Sequence, residues 1–160
     1  MNNLVNTIKP NNPTRLNLSN LSWQSLNNKQ KVAILKSGFF LMIADGIYTE
    51  EEKVYYAGLC KMTNSTDYNK LMNEIETMGA SDMFTIISSM NKSQKDTVLF
   101  HWVQLLYASQ GNEMGYMDYM RINGLFNLDN YPKEKPWFVD MARRCNIDIS
   151  PFLIGTVKIY

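Results

Sequence analysis

The stretch Ala44-Asp45-Gly46-Ile47-Tyr48-Thr49-Glu50-Glu51-Glu52 leaves the chain little choice of local structure. It follows an apolar run in which Val32, Leu35, Phe39, Met42 and Ile43 recur at three- and four-residue spacing. That spacing is the core-facing stripe of an amphipathic helix, expected over about Lys29 to Ala44 with Asn28 as its cap. Gly46 supplies the left-handed residue on which such helices end. Thr49, with Glu52 three residues on, is a capping box: the hydroxyl accepts from an orphan N–H, and the glutamate reaches back. The segment therefore predicts a helical hairpin, with Asp45 closing the first helix and Glu50, Glu51 and Glu52 in the first turn of the second.

The rest of the chain repeats this grammar. Val54, Tyr55, Leu59 and Met62 are the expected buried side of the second helix. A third helix is expected from Thr66 to Met78, with Tyr68, Leu71, Met72 and Ile75 inward and Gly79 as its stop. Ser81 caps a short helix to about Met90, and Ser93 with Asp96 repeats the capping logic. The segment Val98-Leu99-Phe100-His101-Trp102-Val103-Gln104-Leu105-Leu106-Tyr107 is apolar nearly all round, which marks a central, buried helix. Helices from about Glu113 to Phe126, and from Pro136 to near Cys145, complete the set. The expected fold is all-α: a bundle of about six to eight helices in one domain over residues 19–160. Residues 1–18, rich in Asn with Pro10 and Pro13, form a flexible or surface-draped tail. Residues 147–160 have the alternation of an extended arm.

Composition narrows function mainly by exclusion. The 160 residues carry a net charge of +1, and no basic run interleaves with aromatics, so nucleic acid is not an expected partner. The apolar runs are too short to span a bilayer. The start, Met1-Asn2-Asn3-Leu4-Val5-Asn6, lacks the basic-then-apolar order of a signal peptide. Cys60 and Cys145 make neither a disulfide framework nor a zinc site and read as buried apolar fillers. A reducing cytoplasm is the expected compartment.

Asp45 with Glu50, Glu51 and Glu52 is the one concentrated chemical feature. Hard cations such as calcium take several oxygen ligands, and an inter-helix turn adds backbone carbonyls. The spacing is not that of an EF-hand. The plainer reading is a helix joint: acids in a first turn suit the helix dipole, and Asp-Gly is good turn chemistry. His101, the single histidine, shares its side of the helix with Gln94, Thr97, Gln104 and Ala108, so a polar seam is expected there, and with no Cys or Asp nearby at metal spacing it reads as a hydrogen-bonded core residue. No nucleophile motif accompanies it. Met114, Met117 and Met120, with Tyr116 and Tyr119, read as core or as an adaptable binding face. Tyr131-Pro132 and Pro136-Trp137-Phe138 are expected to cover an end of the bundle.

Gly38-Phe39-Phe40-Leu41-Met42-Ile43-Ala44-Asp45-Gly46 and His101-Trp102-Val103-Gln104-Leu105-Leu106-Tyr107-Ala108-Ser109-Gln110-Gly111 share one pattern: apolar helix, alanine, polar residues, glycine, then an acidic-starting helix. All helical hairpins share part of it. The Ala-Asp-Gly helix end, the Thr cap and the glutamate pair resemble the TerB-like (tellurite-resistance TerB) family over about residues 29–128. The resemblance implies a helical bundle of two related halves and a divalent metal held by such acidic residues; calcium or magnesium is the expected cation. Asp45 matches the motif aspartate, and Glu51 and Glu52 its glutamates. It also implies a role in envelope-linked stress responses through protein complexes near the membrane. The second copy departs from the pattern, with Ser109-Gln110 in place of the aspartate, though Glu113 and Asp118 follow.

The first functional expectation is a non-enzymatic interaction protein with a protein partner, tuned by a cation at Asp45, Glu51 and Glu52. It would reach a membrane only peripherally, through its partners. The second is a structural adaptor that needs no metal. The third, an enzyme, requires polar groups such as Asp45, His101 and Glu113 to converge.

Overall fold

The computed structural model describes residues 23–44, 46, 48–64, 66–110 and 128–149. These residues form six α-helices and no strand: α1 (Asn28–Ile43), α2 (Glu50–Thr63), α3 (Tyr68–Thr77), α4 (Ala80–Ser88), α5 (Lys92–Ala108) and α6 (Lys135–Arg144). Short 3-10 turns lie at Trp23–Ser25 and Leu128–Asn130. The expected all-α bundle is thus the observed fold. The Asn-rich tail, the expected helix at 113–126 with its Met and Tyr stripe, and the end of the expected arm lie outside the described residues.

Helix starts follow side-chain capping, with shifts of a residue or two from expectation. Asn27, not Asn28, caps α1: its Oδ1 accepts from Gln30 N (2.8 Å), and Asn27 N donates to Gln30 Oε1 (2.9 Å). Asn91 and Gln94 form the same reciprocal box at α5, displacing the expected Ser93 and Asp96. Gly79, with no side-chain bond, precedes α4, so Ser81 is not its cap. Asp67 caps α3 through Lys70 N (2.9 Å). Pro136 sits in the first turn of α6, which ends at Cys145 as expected.

Two helices organise the core. In α5, residues on every side are buried, among them Val98, Leu99, Trp102, Val103 and Leu105. Helix α1 packs against each of the other five. The two meet where Trp102 Nε1 donates to Ser37 Oγ (2.9 Å), and Ser37 Oγ donates on to Ile34 O (2.8 Å). Next to this bond, a Cβ on Gly38 would stand 2.9 Å from Leu105 Cδ1, so glycine leaves room for the end of that side chain. Phe138 of α6 closes one end, edge-on to Trp102 with ring centroids 5.9 Å apart. Cys60 and Cys145 are buried free thiols, as expected.

The outward faces differ from expectation in one informative way. Leu59 and Cys60 of α2 are buried, but Val54 is 65% and Met62 46% exposed. The capping box turns Glu52 inward, and the line Glu52–Leu59–Cys60 then faces the core. Val54 and Met62 fall on the opposite side of a 3.6-residue helix. Tyr68 is also outward, 59% exposed, at the first residue of α3, while Leu71 and Ile75 point in. Ile147 and Ile149 are buried, so the start of the expected arm packs onto the core.

The α1–α5 contact yields a prediction. Ser37→Ala removes the acceptor of a buried indole N–H, and an unpaired buried donor costs about 1–3 kcal/mol. Urea unfolding should show a loss of that size with an unchanged slope. A loss well under that range would mean the bond contributes little.

Candidate functional site

The acidic turn is built as the sequence suggests, and then anchored further. Gly46 takes φ 76° and donates its N–H to Ile43 O (2.9 Å), ending α1. Thr49 Oγ1 accepts from Glu52 N (3.1 Å), and Thr49 N donates to Glu52 Oε1 (2.9 Å). The same threonine hydroxyl donates to Ala108 O (2.8 Å), the last residue of α5. One side chain therefore starts α2 and fastens it to the C-terminal end of the central helix. Nothing local in the sequence announces that second bond.

The three expected cation ligands are placed differently. Asp45 lies outside the described residues. Glu52 is only 2% exposed and already engaged in the capping box. Glu51 is half-buried and Glu50 exposed. Consecutive helical residues point about 100° apart, so Glu51 and Glu52 leave α2 in different directions. Among the described residues, no three His, Cys, Asp or Glu side chains stand close enough to share a metal ion. Glu52 instead lines a narrow slot with Leu41, Trp102, Leu105, Glu134 and Trp137. Its free volume of about 20 Å³ has room for roughly one water.

His101 does not face a polar seam. It is 7% exposed and boxed by rings: Phe100 edge-on at 5.0 Å, Trp23 edge-on at 5.1 Å and Tyr55 tilted at 5.9 Å between centroids. Its Nδ1 lies 2.5 Å from Tyr55 Oη. Burial pushes the imidazole down to about 3 and the Tyr55 phenol upward, so both are neutral near pH 7. The neutral phenol and the neutral imidazole share this hydrogen bond, its direction set by the ring tautomer. Gln104 and Thr97 on the same side are buried as well, and Gln104 Oε1 and Trp23 Nε1 have no hydrogen-bond partner among the described residues. A neutral, enclosed imidazole of this kind fastens α2 to α5. Glu113, the other residue needed for a convergent catalytic group, lies outside the described residues.

One aromatic opening among the described residues was not expected from the sequence. A groove of about 420 Å³ runs between α1, α2 and α3, lined by Phe39, Phe40, Tyr48, Tyr56, Tyr68 and Met72. Lys36 spans it, donating to Ile75 O (2.8 Å) and Glu76 O (3.4 Å) near the end of α3, with its ammonium 5.6 Å from the Phe40 ring centre. Tyr56 Oη donates to Leu35 O (2.8 Å), which fixes the groove floor to α1. Phe39 and Tyr56 stack at a tilt, 6.1 Å apart. Tyr48 and Tyr68 stand exposed at the rim with Lys53. The signal available in the sequence is the pairing of Phe39-Phe40 with Tyr55-Tyr56 across a hairpin, of which Phe39 and Tyr55 are expected in the core.

Compared with known protein families, with curated proteins and with solved structures, the chain matches none. No described helix is long and apolar enough to cross a membrane.

The buried histidine makes stability depend on pH. In the unfolded chain His101 takes up a proton near pH 6.5, while the folded imidazole resists until about 3. Its contribution is full above 6.5 and is lost as pH falls. Between pH 7 and 5 the wild type should lose about 2 kcal/mol through this one group. His101→Gln, compared by urea unfolding at the two pH values, should lose clearly less. An equal loss in both proteins would place the pH dependence elsewhere.

Proposed function

We propose that this chain is a non-enzymatic helical interaction protein that docks a partner protein through the aromatic groove between α1, α2 and α3. One observation carries the reading. Phe39, Tyr48 and Tyr68, three of the large apolar side chains left exposed, gather around a single groove. Its volume is on the scale of pockets that take ligands or anchor residues, roughly 300–1,000 Å³. Aromatic and methionine side chains are also what interface centres use. By contrast, the groups best suited to chemistry, His101 and Glu52, are buried and bonded to neighbours that hold helices in place.

The Ala-Asp-Gly turn and its glutamates, which resemble the TerB-like family, support a stress-response setting for such a module. Membrane association would then come through the partner. The burial of Glu52 in its capping box favours the form of this reading in which the acidic turn is a helix joint. It weighs against the form in which calcium or magnesium bridges Asp45, Glu51 and Glu52.

Selection of peptides from a random display library on the native protein tests the groove. Enriched peptides should lose about tenfold or more in affinity to Tyr68→Ala and Phe39→Ala, as truncated aromatic anchors do. Peptides that bind both variants as well as wild type, or no enrichment at all, would refute the docking site. A thermal-shift panel run alongside should show no response to millimolar calcium or magnesium. A saturable rise that Asp45→Asn abolishes would reinstate the cation.

A further inference from the structure

The outer face of α2 is a second apolar surface, distinct from the groove. At 100° per residue, Val54, Ala57, Gly58, Lys61 and Met62 fall on one side, with Glu50 and Glu51 at its N-terminal end. All are exposed except Glu51, which is half-buried. The buried residues Glu52, Leu59 and Cys60 occupy the opposite side. Around Gly58 there is open space: a Cβ built there meets no atom within 4 Å. Tyr56, which lines the groove, lies on the inward side, bonded to Leu35 of α1, and Lys53 lies beside it, away from the outer face. An occupant of the outer face therefore leaves the groove open.

We propose that this face pairs two copies of the chain through an antiparallel α2–α2 contact about a twofold axis near residue 56. The charges decide both the partner and the direction. The acids sit at one end of the face and Lys61 at the other. An antiparallel second copy sets Glu51 opposite Lys61, and Lys61 opposite Glu51, by one symmetry operation. It also opposes the two helix dipoles favourably. A parallel copy would set acid on acid and lysine on lysine. In the antiparallel register Val54 of each copy stands over Gly58 of the other. The missing Cβ there leaves room for the valine, and Ala57 keeps the helix axes close. The contact is one helix wide, so the dimer belongs to the weak class, with Kd on the order of 1–100 µM. Such a dimer displays two grooves and acts as a bivalent docking unit. The pairing does not rest on the identity of any groove partner.

Sedimentation equilibrium over a wide concentration range tests the pairing. Wild type should associate reversibly to a dimer. Val54→Glu, at an exposed position that leaves the core untouched, should be monomeric with an unchanged melting temperature. Lys61→Glu should weaken association about tenfold, and Glu51→Lys added to it should restore most of that loss. A wild type that stays monomeric throughout overturns the proposal, as does a charge swap that fails to rescue. Tyr68→Ala should dimerise normally. If it dissociates the dimer while Val54→Glu does not, self-association runs through the groove and the α2 pairing is wrong.

Discussion

Everything described in this molecule hangs on the crossing of α1 and α5. The indole of Trp102 is wholly buried and places its one polar atom on Ser37 Oγ. That bond fixes both the register and the rotation of the two helices, because a buried N–H left without an acceptor is costly. Gly38, one residue on, leaves room for the Leu105 methyl at a distance where a Cβ would force it to shift. Since α1 touches every other described helix, setting α1 against α5 sets the remaining four. Dispersion and burial along this seam supply the bulk of the cohesion. The single polar bond supplies its uniqueness.

Helix α2 is held differently, and that difference underlies the functional reading. Its inward side carries an unusual share of polar fastenings: Thr49 to the end of α5, Tyr55 to His101, and Tyr56 to Leu35 of α1. These bonds orient the helix with few buried apolar residues, only Leu59 and Cys60. Its apolar complement is thus released to the surface, part into the groove with Tyr48 and part onto the outer face at Val54 and Met62. A helix with Val54 and Met62 facing out while a glutamate faces in is organised for contact with something beyond its own core. Burial of His101 and Glu52 follows from the same arrangement, which is why neither presents a reactive group to solvent.

Much of the fold was legible because strong local signals agreed. The stripe Val32–Leu35–Met42, the left-handed Gly46, the reciprocal pair Thr49 and Glu52, and the uniformly apolar run after Val98 each had one sensible structural meaning. Caps were less legible. Asn27 and Asn28 are both good caps, as are Asn91 and Ser93, and the choice depends on which glutamine or glutamate stands three residues on. The orientation of α2 was legible only in part: Tyr55 and Leu59 face the core as expected, whereas Val54 and Met62 face out. Two rows of its residues are apolar enough to be core, and tertiary bonds from Thr49 and Tyr55 decide between them. The aromatic groove was hidden for a related reason: Phe39, Tyr48 and Tyr68 come from three segments, and only their assembly separates an open groove from a closed core. Of the expected acidic set, the sequence correctly signalled Glu52 as a cap but could not show that capping would also bury it.

Native-state hydrogen exchange tests the central role of the α1–α5 crossing most directly. Amides of Leu35–Gly38 and Trp102–Leu106 should exchange slowest of all and only through global unfolding, while α2 should open at lower free energy. Amides of α1 that exchange more readily than those of α2 would contradict the account, because the helix on which the others are hung would then be the looser one.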